Sequence, residues 1–225
     1  DMKQTADGGY IIVGSVMDHY NTETGAQGDN QFYIIKTDMY GNKMWDVSLG
    51  DSSILDTTTN LTIPLNDVAK SVQLTADGNY IVLGTKMFWE RDSSLDVSTY
   101  SNLYLVKLDV NGSIIEENDQ IGYKGINDEG NAVFEMSDGS FILLGSTERE
   151  GVTNSNGDVT LNAAGSKDGY VMVCNSNLEV TNEVYQYGGK GDQEFVKGTK
   201  NIFDDGIEGV YALGTRTSLN GDLDI

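Results

Sequence analysis

Cysteine and histidine each occur only once in this 225-residue sequence, as Cys174 and His19. A single cysteine excludes an internal disulfide, and because free cysteines are usually buried and inert, Cys174 is predicted to lie in the core. A single histidine excludes a His-rich zinc site and would leave a Ser-His-Asp triad dependent on His19 alone. Proline also occurs once, whereas 27 glycines fit many tight turns between short strands.

Positive charge is scarce as well. The chain has 14 Lys and Arg residues against 35 Asp and Glu residues, which gives a formal net charge of −21. Such a surface repels phosphate backbones and anionic lipids, so nucleic acid and polybasic membrane contacts are not expected. The composition instead suits a well-solvated surface, and it is compatible with cations.

Long apolar runs are missing too. The runs end after four or five residues, as at residues 10–13 and 141–144, whereas a membrane-spanning helix needs about 20. We therefore expect no transmembrane segment. The chain begins at Asp1 without a signal-peptide pattern, so a processed product or part of a longer protein is expected.

What the sequence does contain is a repeat. Four similar segments occur at residues 5–15, 75–85, 136–146 and 204–215. Each carries a glycine near its end, here called the closing glycine: Gly14, Gly84, Gly145 and Gly214. These glycines follow one another at intervals of 70, 61 and 69 residues, which indicates an array of equivalent structural units.

The second copy shows the unit most clearly. An alternating strand at residues 67–75 is followed by Asp77-Gly78, a hairpin signal because glycine accepts positive φ. Further strands are predicted at 80–83, 103–108 and 113–120, and the polar stretch 86–102 is predicted to be a loop. The second and third strands are apolar at consecutive positions, which is typical of a sheet covered on both faces. The recurring turn aspartates are predicted to stabilise hairpins: Asp7, Asp38, Asp77, Asp109 and Asp138.

A four-stranded antiparallel sheet that is buried on both faces and repeated at a constant interval is a β-propeller blade. Solenoid repeats of about 20–30 residues are too short for this unit, and immunoglobulin-like sandwiches need about seven strands each. The sequence therefore predicts an all-β protein with about three and a half blades, forming part of a larger ring. The predicted blades are 1–50, 67–122, 128–189 and an incomplete 192–225, with an inter-blade insertion at 51–66.

The motifs T-x-D-G-x-Y-I-x-x-G and Y-[LIV]-[VI]-K-x-D-x-x-G cover nearly the whole chain, at residues 5–15, 33–41, 75–85, 104–112 and 138–146. This pattern resembles a repeat of surface and secreted proteins from bacteroidete bacteria and some archaea, which look like β-propellers and are often lipid-anchored. The resemblance implies the fold and a location outside the cell or at its surface, for example as an outer-membrane lipoprotein. It carries no catalytic signature. The chain departs from the pattern at the 51–66 insertion and at Val173, which replaces the lysine.

The connections between second and third strands, at residues 16–31, 86–102 and 147–168, are long and dissimilar, and repeat symmetry places them on one rim. Variable loops on a rigid scaffold often bind ligands. The candidate ligand-binding residues are Trp89, Phe88, Tyr20, Tyr100 and Asp92, with the adjacent Trp89 and Phe88 as the best pair. Aromatic rings flanked by carboxylates suit sugars. The alternative is that these rings fold back onto the blade and only pack.

Residues 154–158 place oxygen-bearing side chains at alternate positions, as calcium-binding loops do: Asn154, Asn156 and Asp158. The segment lacks the charge and the bidentate glutamate of a complete loop. Calcium is therefore the one cofactor considered, and no other is expected.

No catalytic constellation is recognisable, so no catalytic residue is assigned and the chain is expected not to be an enzyme. We expect a binding or scaffold module that meets a glycan or a surface protein through its rim loops. Two alternatives stay open. One is an accessory subunit of an outer-membrane protein assembly, and the other is a carbohydrate-active hydrolase or lyase.

Overall fold

A computed structural model of the chain describes residues 1–17, 28–94, 96–148, 167–188, 192–202, 207–217 and 223–224. Every regular element in these residues is a β-strand, and neighbouring strands in each sheet run antiparallel. Within the same ranges, no helix is long and apolar enough to cross a membrane. The predicted all-β class and the predicted four-stranded antiparallel sheets are confirmed.

The strands form four successive sheets, each a meander in chain order. Sheet 1 contains β1 (Met2–Gln4), β2 (Tyr10–Met17), β3 (Asn30–Thr37) and β4 (Lys43–Leu49). Sheet 2 follows a short insertion hairpin of β5 (Ile54–Asp56) and β6 (Leu61–Ile63), and contains β7 (Val68–Leu74), β8 (Tyr80–Arg91), β9 (Val97–Leu108) and β10 (Ile114–Ile121). Sheet 3 contains β11 (Asp128–Glu135), β12 (Phe141–Thr147), β13 (Asp168–Cys174) and β14 (Val180–Tyr187). Sheet 4 contains β15 (Gln193–Ile202), β16 (Glu208–Thr217) and β17 (Leu223–Asp224).

Sheet 2 is covered on both faces, which explains its consecutive apolar residues. Val82 packs in a cluster with Ile11 and Phe32 of sheet 1, whereas its neighbour Leu83 packs in a cluster with Phe141 of sheet 3. Successive strand residues point to opposite faces, so a strand between two sheets must be apolar at both. The same cluster with sheet 3 contains Cys174, which is fully buried as predicted, and burial raises the pKa of its thiol to about 12.

The predicted role of the turn aspartates is confirmed by their hydrogen bonds. Asp77 accepts bonds from the Thr75 hydroxyl (2.5 Å) and the Asn79 amide (3.3 Å), and Lys107 of β9 reaches its other oxygen at 2.7 Å. The first copy repeats this arrangement, with Lys36 bonded to Asp7 at 2.8 Å. The lysine and the aspartate of the repeated motif therefore form an ion pair, because the third strand places the lysine next to the first hairpin of the same sheet.

The closing glycines of sheets 2 to 4 face an irregularity of the strand pairing. A β-carbon on Gly84 would lie 1.9 Å from the Val68 carbonyl oxygen. The equivalent distances are 1.9 Å at Gly145 and 2.3 Å at Gly214, each to a carbonyl of the sheet's first strand. In all three sheets, the pairing register between the first and second strands shifts directly after the residue pair that contains the closing glycine. A β-bulge thus brings a carbonyl so close that only glycine fits opposite it.

The junctions between sheets 1 and 2 and between sheets 3 and 4 share the same pair of hydrogen bonds. The Asp67 amide donates to the Asn30 carbonyl at 2.6 Å, and the Asn30 amide donates to the Asn66 side chain at 3.1 Å. The corresponding bonds between sheets 3 and 4 measure 2.6 and 3.0 Å and involve Lys167, Asp192 and Gln193. The start of one sheet's first strand is therefore held against the third strand of the sheet before it.

A buried aspartate completes the junction between sheets 1 and 2. Asp67 is fully buried and accepts bonds from the backbone amides of Met87 (2.7 Å) and Asp51 (3.2 Å). Gly50 adopts φ +126°, and a β-carbon there would lie 2.0 Å from the Asp67 carboxylate. Burial raises the pKa of Asp67 to about 7, despite the amide bonds and the nearby Lys86, which act in the opposite direction.

Candidate binding site at the rim of sheet 2

Strands β8 and β9 extend well beyond the other strands of sheet 2. Residues 86–91 pair with residues 97–102 to form what we call the rim hairpin. The prediction that residues 86–102 form a loop was therefore wrong. Their polar composition concealed β-branched and aromatic residues that face one another across the ladder, such as Phe88 opposite Tyr100 and Trp89 opposite Thr99. Cross-strand pairs of this kind stabilise a two-stranded ribbon.

The rim hairpin separates the predicted aromatic residues onto its two faces. Phe88 stacks on Tyr100, with ring centroids 5.4 Å apart and planes at 19°, and the Lys86 ammonium lies 5.4 Å from the Phe88 centroid. Trp89 occupies the opposite face because successive residues of a strand alternate. Trp89 and Phe88 consequently do not form a shared platform, and the packing alternative fits Phe88 and Tyr100.

The insertion hairpin docks against the rim hairpin through an ion pair. Arg91 of β8 bonds to the Asp56 carboxylate, which also accepts bonds from the Thr58 amide (2.9 Å) and the Thr59 hydroxyl (2.6 Å). Hydrogen bonds from Thr59 and Arg91 hold the pKa of Asp56 well below its ordinary range. Because Asp56 is almost completely buried, this contact fixes the position of residues 54–63 relative to the rim.

Between the two hairpins lies a cleft of about 490 Å³. Its walls combine apolar, hydroxyl, amide and carboxylate side chains, principally Leu61, Ile63, Met87, Thr59, Thr99, Asn66 and Asp96. Trp89 shares its strand face with Met87 and Thr99 and keeps 39% of its surface exposed. An exposed tryptophan on the strand face that borders a mixed cleft is suited to stacking against a ligand ring.

The remaining predicted residues lie elsewhere. Asp92 is at the tip of the rim hairpin, where one carboxylate oxygen accepts the Ser94 amide at 2.7 Å and the Asp96 amide at 3.0 Å. This oxygen therefore stabilises the turn. Two predicted sites fall outside the described residues: Tyr20 and the calcium segment with Asn154, Asn156 and Asp158. In the ranges that are described, no group of three or more His, Cys, Asp or Glu side chains could hold a metal ion.

Sequence reasoning missed the contribution of residues 51–66, which it treated only as an insertion between blades. These residues supply one wall of the cleft, with Leu61, Ile63 and Pro64. Two short apolar stretches on either side of a threonine-rich turn could have indicated a hairpin here. Nothing in these residues indicated that the hairpin would dock against Arg91.

No protein-family model matches the chain, and a search of curated proteins found no match. The function must accordingly be argued from the cleft itself and from the arrangement of the sheets.

Proposed function

We propose that the chain is a β-propeller segment that binds a glycan in the cleft at the rim of sheet 2, without catalysing a reaction. The observation that carries the proposal is the cleft between the rim and insertion hairpins, bordered by a strand face with an exposed tryptophan. The propeller supplies a rigid support, and the two hairpins supply the variable surface that binding requires.

Two features support a propeller. The bonds that join sheet 1 to sheet 2 recur between sheets 3 and 4, so the same geometric operation relates neighbouring sheets. In addition, the first strands β1, β7, β11 and β15 contact one another in that order. Sheets that share an inner edge and cover one another's faces are arranged as blades around an axis.

The outer face of sheet 4 supports a larger ring. Leu83, Leu144 and Leu213 all precede a closing glycine and are structurally equivalent. Leu83 and Leu144 are 0% and 1% exposed because the next sheet covers them, whereas Leu213 is 60% exposed and Tyr211 is 57% exposed. We propose that a further sheet of the same kind covers this face.

The ring proposal predicts the effect of Leu213→Asp in the complete protein. If another blade covers Leu213, burying the new carboxylate should lower the melting temperature as much as Leu144→Asp does, by roughly 10 °C or more. Thermal denaturation followed by circular dichroism measures both variants. A Leu213→Asp variant as stable as the wild type would contradict the proposed further blade.

The chemistry of the cleft favours a sugar. A pyranose presents a C–H face that stacks on an aromatic ring, and hydroxyl groups that donate and accept hydrogen bonds. Thr59, Thr99 and Asn66 of the cleft wall offer donors and acceptors, and Trp89, which lies beside the cleft and not in its wall, offers the ring. The apolar residues Leu61 and Ile63 exclude water from one wall.

The state of Asp56 argues against this residue as the general acid of a glycoside hydrolase. A general acid for glycoside hydrolysis needs a raised pKa in order to hold its proton at neutral pH. Asp56 has a lowered pKa and is held by Arg91, Thr58 and Thr59. Its carboxylate therefore serves as a fixed negative charge that orders the hairpin.

The binding proposal predicts that Trp89→Ala abolishes retention of the protein on a carbohydrate array. The expected change in melting temperature is small, since the ring is substantially exposed. Tyr40→Ala is the matched control, because Tyr40 is an aromatic residue that is 81% exposed in the β3–β4 turn and away from the cleft. Retention that survives Trp89→Ala undiminished would reject this site.

Two other functions would give different experimental results. An accessory subunit of an outer-membrane assembly should co-purify with a larger complex and give no glycan signal; in that case a partner protein, in place of a further blade, would cover the exposed apolar face of sheet 4. A hydrolase or lyase should release products from polysaccharide, and this activity should disappear when one acidic residue of the rim is neutralised. The resemblance of the repeat to surface proteins supports a location outside the cell or at its surface.

A further inference from the structure

The first strands of the four sheets surround a cavity of about 320 Å³ that is separate from the rim cleft. Each of β1, β7, β11 and β15 contributes to its wall, so it lies along the shared inner edge of the sheets. Its polar wall includes Lys3, Lys70, Lys197, Ser71, Gln73 and Asn131, together with one acidic residue, Asp1. Three lysines and one aspartate along one cavity are unexpected in a chain with only 14 basic residues and a net charge of −21.

These positive charges are only partly compensated. Lys70 lies 3.0 Å from Glu129, but the same carboxylate is bound by Lys167 at 2.6 Å, so one negative charge serves two lysines. Lys3 lies 3.8 Å from Asp1. Lys197 is exposed to the cavity, and no carboxylate of the described residues lies within 4.0 Å of its ammonium. The wall therefore carries an excess of positive charge.

Most other basic side chains in the described ranges are used differently. Lys36, Lys107 and Arg91, for example, each bond to an aspartate of a turn or hairpin. These ion pairs stabilise local structure, and their charge is neutralised where it arises. Lys197 makes no such contact among the described residues, so stability does not explain its position.

We propose that this inner-edge cavity binds a small oxyanion of the carboxylate or phosphate class with two or more negative charges. Lys197 and Lys70 would contact the anion, and Lys3 would add to the positive field. The inference is independent of glycan binding at the rim, because the two sites share no residue.

The acidic surface of the molecule does not prevent such binding. Exposed charges more than about 8 Å away are largely screened at physiological salt, so distant surface carboxylates contribute little to the potential at this cavity. The local excess of lysine therefore determines the potential inside the cavity. The volume is also at the lower end of the range for small-molecule sites, which fits a small organic or inorganic anion.

Isothermal titration of the whole protein with inorganic phosphate, and separately with citrate, tests the proposal, with sodium chloride at matched ionic strength as the blank. We expect saturable binding of at least one probe to the wild type. Lys197→Gln should weaken the affinity about tenfold or more, which is the typical effect of losing one charge-assisted hydrogen bond to a ligand. Phosphate and citrate distinguish a phosphate-type from a carboxylate-type ligand.

Lys43→Gln is the matched control, since Lys43 is an exposed lysine on β4, the strand of sheet 1 furthest from the cavity, and pairs with Asp46 at 2.8 Å. Its affinity for the probe should equal that of the wild type. The proposal is overturned if neither probe binds beyond the chloride blank, or if Lys197→Gln binds as well as the wild type. An equal loss in both variants would also overturn it, because the effect would then reflect overall charge.

Discussion

Gly84→Ala is expected to destabilise the protein by about 3 kcal/mol, a large effect for a single methyl group. The new β-carbon would lie 1.9 Å from the Val68 carbonyl oxygen and 2.7 Å from Cε2 of Phe32. The first contact is with backbone that is fixed by the bulge, and the second is with a fully buried ring of sheet 1. Neither can move without separating two strands or two sheets. Urea denaturation followed by tryptophan fluorescence measures the change.

Gly14→Ala provides a matched control for this substitution. Gly14 is the closing glycine of the first copy, and in the 225-residue chain no atom other than those of its chain neighbours lies within 4 Å of the position of its β-carbon, so the comparison is made in this chain. We expect Gly14→Ala to change the free energy of unfolding by less than about 0.5 kcal/mol. Equal destabilisation by both substitutions would show that the bulge contact is not the cause.

Asp67→Ala should cost about 2 to 3 kcal/mol of the free energy of unfolding. The substitution would leave the amides of Met87 and Asp51 without their acceptor at a buried junction, and a buried unsatisfied amide costs about 1–3 kcal/mol. The effect is partly offset because a carboxylate that is costly to bury is removed as well. Asp38→Ala is a suitable control, since Asp38 bonds the amides of Tyr40 and Asn42 in an exposed turn.

The same residue predicts an unusual pH dependence. The pKa of Asp67 is raised to about 7 in the folded protein, above the ordinary value of 3.8 expected on unfolding. Between these values the folded state holds a proton that the unfolded state has released, so the contribution of Asp67 to stability decreases as pH rises from about 4 to about 7 and is constant above that. The slope would not exceed about 1.4 kcal/mol per pH unit.

Urea midpoints of the wild type and of Asp67→Asn, compared from pH 4.5 to 8, isolate this contribution. Asparagine cannot titrate and keeps one acceptor oxygen, so the difference in stability between the two proteins should shrink or reverse as pH rises. A difference that is constant across this range would mean that Asp67 is ionised throughout. Asp38→Asn should leave the pH profile of the wild type unchanged in this window, because the pKa of Asp38 is lowered by its turn bonds.

Much of the fold could be predicted because its signals are local. The Asp-Gly turns, the consecutive apolar residues of strands two and three, and the spacing of the closing glycines all reflect interactions within one sheet or its nearest neighbour. Even the loss of the turn glycine at Leu178 is consistent with this, since Leu178 adopts φ +58° and its side chain is buried between sheets 2 and 3. Burial there takes the place of the conformational freedom that Gly41 and Gly112 provide at the equivalent turns.

The candidate site was less predictable because its contacts join residues that are distant in the chain. The acidic and polar character of residues 86–102 indicated a loop, yet their cross-strand pairing makes them a hairpin. Alternation along that hairpin then places Trp89 and Phe88 on opposite faces, although they are adjacent in sequence. The Arg91–Asp56 ion pair spans 35 residues, and no local pattern indicates it.

The sequence by itself determined that the chain is built from repeated antiparallel sheets, where each sheet turns, and which residues lie in the core, because hydrophobic periodicity and turn chemistry act over a few residues. The tertiary structure alone decided which glycine tolerates no methyl group, which aspartate is buried at a junction, and how the two hairpins, and separately the first strands of the four sheets, line their cavities. These properties depend on distances between segments brought together by packing, and such distances are set by the summed geometry of bulges, junctions and sheet faces, which no short stretch of sequence contains.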